Sequence, residues 1–247
     1  MRLSKPFDFD QEQIKVLSGI VSTYYERTKE KMPVAGGWRS MSDEDLWMHL
    51  IRIIIAIGKS APSYELIESA DAKRLSIASM RKYQAKHGDD ALIKAVHKTL
   101  AAHNVRYCSP LKETSPKAIA IVRNLNESYI VDGEHFALIE NVKKYGGSEP
   151  RFFMTEIVHM YGMKSASEFL MEVGYSPDYM AFDTRMKRVL SLIFKKDFNK
   201  QICVTCDYLD IETIFREEIC PELHITPAEL DSIIFWNYGD IIKSLKR

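Results

Sequence analysis

The chain has 247 residues, a length that fits one large domain or two small ones with a sizeable buried core. Its 34 basic and 34 acidic side chains cancel, which argues against a strongly basic nucleic-acid coat protein but permits a local basic face. No apolar run approaches the roughly 20 residues that span a bilayer, and no signal core lies near the first residue, so we expect an intracellular protein without membrane contact.

Helical periodicity extends through most of the chain. In residues 11–31, Ile14, Leu17, Ile20 and Val21 recur at helical spacing, which predicts a first helix. Further helical segments are predicted at residues 63–87, at residues 89–103, from residue 115 onward and at residues 133–145.

Ser42 precedes a segment that is apolar on almost every side, up to Ile57. Such a segment predicts a helix in the centre of the core, with Ser42 as its N-cap. Three acidic residues follow Ser42 in the first turn, where the helix dipole favours negative charge.

The second half of the chain continues the helical pattern. Residues 146–150 predict a stop and a restart, with Ser148 as the cap and Pro150 in the first turn. The restarted helix is predicted to end at Gly162 and the next one at Gly174. Further helices are predicted at residues 184–194 behind an Asp183 cap, at residues 208–220, and at residues 226–246 behind a capping box.

Convincing strand alternation is absent, although residues 129–131 are suited to a short extended piece. The predicted fold class is therefore all-α. We expect two helical subdomains, residues 1–104 and 105–247, with a cleft between them, the hairpin at its rim and the final helix closing over a pocket.

Cysteine usage gives little support for a metal centre. Cys203 and Cys206 have the spacing of a zinc or redox pair, but a zinc site needs about four ligands, and only Cys220 and His224 lie nearby in sequence. We predict reduced thiols and no metal site.

A short turn between two predicted helices carries the most informative residues. Gly162 lets the backbone turn with a positive φ, and the following helix presents free N–H groups that bind phosphate without reading sequence. Taken alone, this pattern is explained better by an ordinary turn between two helices with a solvated lysine.

Lys164 lies at the mouth of that helix. A solvated lysine, with a pKa of about 10.4, is protonated and inert. The helix dipole and partial burial both favour the free amine that covalent catalysis requires. Asp183 can be a plain N-cap, but an ionised carboxylate there can also stabilise an oxocarbenium-like cation or shuttle the lysine proton.

Residues 150–190 resemble the helix-hairpin-helix DNA glycosylases. Their hairpin reads Gly-x-Gly-x-Lys-[Thr/Ser]-Ala, and their aspartate precedes a helix that begins with Arg or His. Residues 162–166 (Gly-Met-Lys-Ser-Ala) and residues 183–185 (Asp-Thr-Arg) match this pattern. The first hairpin glycine is replaced by Met160 or Tyr161, depending on the alignment.

The resemblance implies a bifunctional glycosylase and lyase of base excision repair. Lys164 would attack C1′ of a damaged nucleotide flipped out of double-stranded DNA, Asp183 would assist, and β-elimination of the Schiff base would cut the strand. The implied DNA-backbone contacts are Gly162, Met163, Ser165 and Arg185. The resemblance implies a monomer without cofactors, apart from a monovalent cation in the hairpin, in the cytoplasm or nucleoid (the nucleus in a eukaryote).

The C-terminal part points to a branch of the family. The four clustered cysteines of the endonuclease III branch are missing, and residues 228–247 resemble the short archaeal-type 8-oxoguanine glycosylases. By this resemblance Trp236 would stack on the purine and Asp231 would accept a hydrogen bond from its edge. The alternative for Trp236 is core packing. The alternative functions are cleavage at another oxidised base and a non-catalytic helix-hairpin-helix DNA-binding module.

Overall fold

The computed structural model describes residues 7–202 and 205–246, which are mainly helical. The elements up to residue 145 are α1 Gln11–Thr28, α2 Asp43–Ala56, α3 Ala61–Ile67, α4 Ile77–His87, α5 Asp89–Ala102, α6 Pro116–Asn126, β1 Val131–Asp132, β2 His135–Phe136 and α7 Leu138–Tyr145. The later elements are α8 Pro150–Ile157, α9 Met163–Glu172, α10 Thr184–Phe194, α11 Phe198–Gln201, α12 Thr205–Ile214, α13 Cys220–Leu223 and α14 Pro227–Leu245. A π-helical turn, Phe215–Ile219, joins α12 to α13.

The chain divides into two compact units. The discontinuous unit consists of Met1–Gly37 and Leu170–Arg247, and the inserted unit is Trp38–Phe169. The predicted boundary between residues 104 and 105 does not coincide with this division. Residues on both sides of it share the inserted unit, in which Lys117 of α6 hydrogen-bonds to carbonyls at the end of α2.

The predicted all-α class is confirmed, and in the described part of the chain the sheet consists of β1 and β2 alone. These strands pair antiparallel, with Val131 opposite Phe136. The helix predicted at residues 133–145 is therefore wrong in its first part. Gly133 adopts a φ of +63° in the turn, which a helix does not allow, and α7 begins only at Leu138.

Side-chain capping explains where several helices begin. Ser42 and Thr226 form capping boxes with Asp45 and Glu229, and both starts were predicted. The single helix predicted at residues 63–87 is instead three short helical pieces, because Ser69 and Ser76 accept backbone hydrogen bonds and restart the chain. Glu149, rather than the predicted Ser148, caps α8.

Each unit has its own apolar core. In the discontinuous unit α14 packs against α1 and α10, and the ring of Phe7 lies 5.2 to 6.1 Å from those of Phe194, Phe198 and Phe215. In the inserted unit Trp47 and Leu50 of α2 are fully buried, as the apolar character of this helix predicted. Within the described residues, every helix is too short or too polar to cross a membrane.

Lys117 lies in the core of the inserted unit with its side chain fully buried. Its Nζ donates to the carbonyls of Ile55 at 2.6 Å and Ile57 at 2.8 Å, where α2 ends. Burial lowers the pKa of this amine from 10.5 to about 8.

The buried amine gives a prediction for stability. Because the pKa of Lys117 is lower in the folded than in the unfolded chain, the folded state binds fewer protons between these two values, and the free energy of unfolding rises with pH there. Relative to a Lys117→Met variant, the free energy of unfolding of the wild type should rise by about 2 kcal/mol between pH 8 and pH 10. Denaturant titrations at both pH values measure this. The exposed Lys112→Met variant is the control. If the free energy of unfolding of the wild type differed from that of Lys117→Met by the same amount at both pH values, the prediction would be contradicted.

Candidate functional site

The stretch between α8 and α9 forms the predicted hairpin. α8 ends at Ile157, earlier than the predicted end at Gly162, and the Tyr161 amide donates to the Val158 carbonyl at 3.1 Å. The Gly162 carbonyl accepts from the Ala166 amide at 3.0 Å, which makes Gly162 the cap of α9. The first amides of α9 therefore have no partners within the helix, as at any helix start.

Hydrogen bonds to distant parts of the inserted unit fix the hairpin backbone. Buried Asn124 of α6 accepts from the His159 amide at 2.7 Å and donates to the His159 carbonyl at 3.3 Å. The Tyr161 hydroxyl donates to the Leu50 carbonyl of α2 at 2.9 Å. The Tyr161 bond is buried and the two Asn124 bonds are partly buried, and together they hold the turn in one position.

A buried arginine, paired with a half-buried glutamate, ties α8 to α9. The Arg151 side chain is 1% exposed, and its guanidinium binds both carboxylate oxygens of Glu149, at 2.6 and 2.7 Å. Its Nη1 also donates to the Ser167 hydroxyl at 2.9 Å, and that hydroxyl donates to the Met163 carbonyl. This chain of bonds connects the start of α8 to the first turn of α9.

The strained residue of the hairpin is Met160, not Gly162. Met160 has a φ of +70°, a left-handed conformation that side chains disfavour, whereas the φ of Gly162 is not positive. The positive φ predicted for Gly162 is therefore wrong. Met160 has the positive φ instead, and it occupies the position where the family pattern has its first glycine. Gly162 is exposed, and a Cβ added there would meet nothing within 4 Å, which leaves room for another backbone to approach.

The Met160 strain can be measured. A Met160→Gly variant should be about 1 kcal/mol more stable than Met160→Ala, because both lose the same half-exposed side chain but only glycine relieves the left-handed strain. Thermal melting of the two variants is the measurement, with an expected difference of roughly 2–4 °C. Equal melting temperatures would show that the hairpin relaxes without cost.

Lys164 is the second residue of α9 and is 39% exposed. Its Nζ donates to Oε2 of Glu168, one helical turn further on, whose side chain is 11% exposed. The sequence predicted an amine held neutral by the helix dipole and burial. The structure adds a carboxylate in contact with the amine, and an opposite charge at this distance favours the ammonium.

The other predicted hairpin contacts differ in exposure. Met163 is half-buried, whereas Ser165 is 8% exposed and points into the protein. A phosphate at this turn would therefore meet the backbone amide of Ser165 rather than its hydroxyl.

Asp183 caps α10, as predicted, and its Oδ1 accepts from the Met186 amide at 2.8 Å. Asp183 as a residue is half-buried. The predicted extent of this helix, up to Phe194, is confirmed.

Three buried side chains hold the loop that presents Asp183. The Glu212 carboxylate accepts from the Met180 amide at 2.9 Å, and the Tyr208 hydroxyl donates to the Met180 carbonyl. Asp231 accepts from the Ala181 amide at 2.8 Å. The two carboxylates satisfy backbone donors that would otherwise be buried and unpaired, and so they fix the approach to Asp183.

The structure thus gives Asp231 a role that sequence reasoning missed. The residue was predicted to bind the edge of a base, but it is 6% exposed and its Oδ2 binds the loop. Its role in base recognition stays a prediction. Glu212, also missed, could have been found as an acid inside an apolar helical stripe, between Ile211 and Phe215.

Trp236 lies on the surface of α14 and is 47% exposed, so the core-packing alternative is wrong. The ammonium of Lys31 lies 4.5 Å from the centre of its ring, and Phe235 lies against its edge. The guanidinium of Arg185 covers the other aromatic ring, Phe235, at 4.6 Å. Each of these two neighbouring aromatic rings therefore has a cation over its face.

Among the described residues no cluster of three or more His, Cys, Asp or Glu side chains has the arrangement of a metal site. Cys203, which was predicted to be a reduced thiol without a metal, lies outside the described residues. Cys206 is exposed, and Cys108 and Cys220 are buried.

The similarity of this chain to known proteins lies in its structure rather than in its sequence. No family model and no curated protein matches the sequence. The 8-oxoguanine DNA glycosylase of Thermotoga maritima has a similar structure, with a TM-score of 0.64 and 18% identity over 92% of this chain and 95% of that one. The 8-oxoguanine DNA glycosylase of Methanocaldococcus jannaschii has a TM-score of 0.60 at 18% identity, covering 92% of this chain and 94% of its own.

The Methanocaldococcus jannaschii glycosylase/lyase in complex with a 15mer DNA containing 8-oxoguanine is similar as well, with a TM-score of 0.58 and 18% identity over 93% of this chain and 97% of that one. The similarity extends over both compact units and is not limited to the hairpin. The chain therefore has the fold of these 8-oxoguanine DNA glycosylases, and the resemblance predicted from residues 150–190 is confirmed at the level of the fold.

Proposed function

We propose that this protein is a bifunctional DNA glycosylase and lyase that removes 8-oxoguanine from double-stranded DNA. The observation that carries the proposal is the position of Lys164, an amine in the first turn of α9, directly after an exposed hairpin whose backbone is fixed by Asn124 and Tyr161. The likeness in fold to solved 8-oxoguanine DNA glycosylases supports it.

The proposed chemistry uses few groups. The neutral amine of Lys164 attacks C1′ of the flipped nucleotide, and the C1′–N9 bond breaks with its electron pair on the departing base. Ionised Asp183 stabilises the positive charge that develops on the sugar. The sugar ring then opens to an imine on Lys164. Loss of a C2′ proton expels the 3′ phosphate, which cuts the strand.

Trapping with borohydride tests the proposal. The imine carbon accepts a hydride and becomes a stable amine, so the wild type should form a covalent adduct with a duplex that contains one 8-oxoguanine opposite cytosine. Peptide mapping should place the DNA on Lys164. An adduct at a different lysine would refute the assigned nucleophile, and strand cutting without any adduct would refute the Schiff base.

A panel of duplexes, each with one modified base, tests the substrate. Cutting of 8-oxoguanine opposite cytosine should be the fastest. Preference for an oxidised pyrimidine would favour a glycosylase/lyase of another specificity. Binding of every duplex without cutting or adduct would favour a non-catalytic DNA-binding module.

Asp183→Asn separates charge from capping. Asparagine caps a helix as well as aspartate does, so the melting temperature should stay the same. The rate of base removal should fall about 100-fold, because the charge opposite the developing cation is lost. Single-turnover release of 8-oxoguanine measures it. Asp197→Asn makes the same change at the cap of α11 and should not alter the rate, and equal rates for both variants would leave Asp183 as a cap only.

A further inference from the structure

The mechanism proposed above leaves one step without a residue, the removal of a proton from Lys164. An ammonium has no lone pair, so Nζ must lose a proton before it can attack. In the structure Nζ donates a hydrogen bond to Oε2 of Glu168. A proton can therefore pass between these two atoms without an intervening water.

We infer that Glu168 is a catalytic residue that accepts the proton of Lys164 and so generates the nucleophile. The inference rests on the proposed function and goes beyond it, since it assigns a proton acceptor that is neither the lysine nor Asp183. The burial of Glu168 is the second observation, because its side chain is 11% exposed while that of Lys164 is 39% exposed. A carboxylate with so little water around it depends on its partner for stabilisation.

Substrate binding supplies the driving force. In the free protein the exposed amine remains hydrated, and the ion pair is the stable form. DNA that covers Lys164 removes this water, and loss of water disfavours two separate charges more than it disfavours a neutral acid beside a neutral amine. Transfer of the proton from Nζ to Oε2 removes both charges at once.

On an abasic site, where C1′ is an aldehyde carbon, every bond and proton of imine formation can be followed. The lone pair of Nζ forms the N–C1′ bond as the carbonyl electron pair moves to oxygen. That oxygen takes one proton from the nitrogen and a second from protonated Glu168, and it leaves as water. The products are a protonated imine and the restored Glu168 carboxylate, ready for the next cycle.

The charged groups at the start of α8 are paired with each other. On α8, Arg151 and Glu149 bind each other, and Arg151 also binds Ser167, beside Glu168 in sequence. The positive charge of Arg151 is therefore matched by Glu149, and Arg151 contacts α9 through its hydrogen bond to Ser167.

Single-turnover borohydride trapping on abasic-site DNA tests the inference for wild type, Glu168→Gln and Glu168→Asp. Abasic DNA needs no base removal, so the readout does not depend on the lesion. At pH 7 Glu168→Gln should trap about 100-fold more slowly than wild type at saturating protein, with unchanged affinity for DNA. Glu168→Asp keeps a carboxylate and should recover at least about tenfold of that loss.

The opposite result would overturn the inference. If Glu168 were only a counter-ion, it would hold the amine protonated, and its replacement by glutamine would free the amine and leave trapping as fast as before or faster. If Glu168→Asp trapped as slowly as Glu168→Gln, side-chain length rather than the carboxylate would matter, and this result would also count against the inference.

The wild type gives a second measurement, which holds even if Glu168→Gln does not fold. Transfer inside an ion pair does not depend on hydroxide, so the wild-type trapping rate should change less than about threefold per pH unit between pH 6 and pH 8. A tenfold rise per unit would mean that solvent deprotonates Lys164, and the inference would fail. Absence of any wild-type adduct with abasic or 8-oxoguanine DNA would instead remove the proposed function itself.

Discussion

Replacement of Lys164 by glutamine is expected to abolish covalent trapping and strand cutting, with a loss of at least about 1,000-fold. Glutamine has no nucleophilic amine but is of similar length, and its amide can still donate a hydrogen bond to Glu168. The hairpin anchors Asn124 and Tyr161 are unaffected, so affinity for lesion-containing duplex should change little. Single-turnover cutting and a binding titration on the same duplex separate the two effects.

A Lys164→Arg variant is the matched control for charge. Arginine keeps a cation beside Glu168 but stays protonated and does not form an imine. If the amine matters only as a positive charge for phosphate, Lys164→Arg should cut like the wild type and Lys164→Gln should bind poorly. If it is the nucleophile, both variants should bind and neither should cut. Native cutting by Lys164→Gln would overturn the assignment.

The parts of the site that sequence predicted are those with short-range signals. Asp183 caps α10 because its side chain reaches an amide three residues away, and such a cap is visible in the sequence. The Thr226 capping box is local in the same sense. The Lys164–Glu168 pair was not predicted, although its helical i, i+4 spacing is a local signal of the same kind.

The missed parts depend on contacts between distant segments. Asn124 lies 35 residues from the hairpin amide that it binds, and Tyr161 reaches a carbonyl 111 residues away. Nothing in the residues near Gly162 indicates these partners. The replacement of the first hairpin glycine was visible in sequence. That Met160 would take up the strained conformation became clear only from the backbone.

Buried polar side chains were the least predictable group. Glu212 and Asp231 appear in sequence as acids within apolar helices, and their spacing does not say what they bind. In the structure both bind amides of the loop before Asp183, at positions 180 and 181. Such partners follow from how helices pack in three dimensions, which periodicity does not specify.

The second large effect concerns stability. Replacement of Arg151 by methionine should lower the free energy of unfolding by about 4 kcal/mol, because Glu149 would keep a negative charge in a site from which its partner has gone. For a chain of this length that corresponds to a fall in melting temperature of roughly 8–16 °C. Methionine fills a similar volume, so the loss reflects charge and hydrogen bonding rather than an empty cavity.

A double variant distinguishes this explanation from ordinary additivity. Glu149→Gln keeps an oxygen that can accept from the Arg151 amide at the cap of α8, but it removes the charge. With Arg151→Met it should recover about 2 kcal/mol of the stability that Arg151→Met loses alone, since no unpaired carboxylate remains. Additive losses would mean that each residue contributes through separate contacts. Recovery would show that the pair serves to neutralise a charge held at the base of the hairpin. There Arg151 also binds Ser167, whose hydroxyl binds the carbonyl of Met163, beside the proposed reactive lysine.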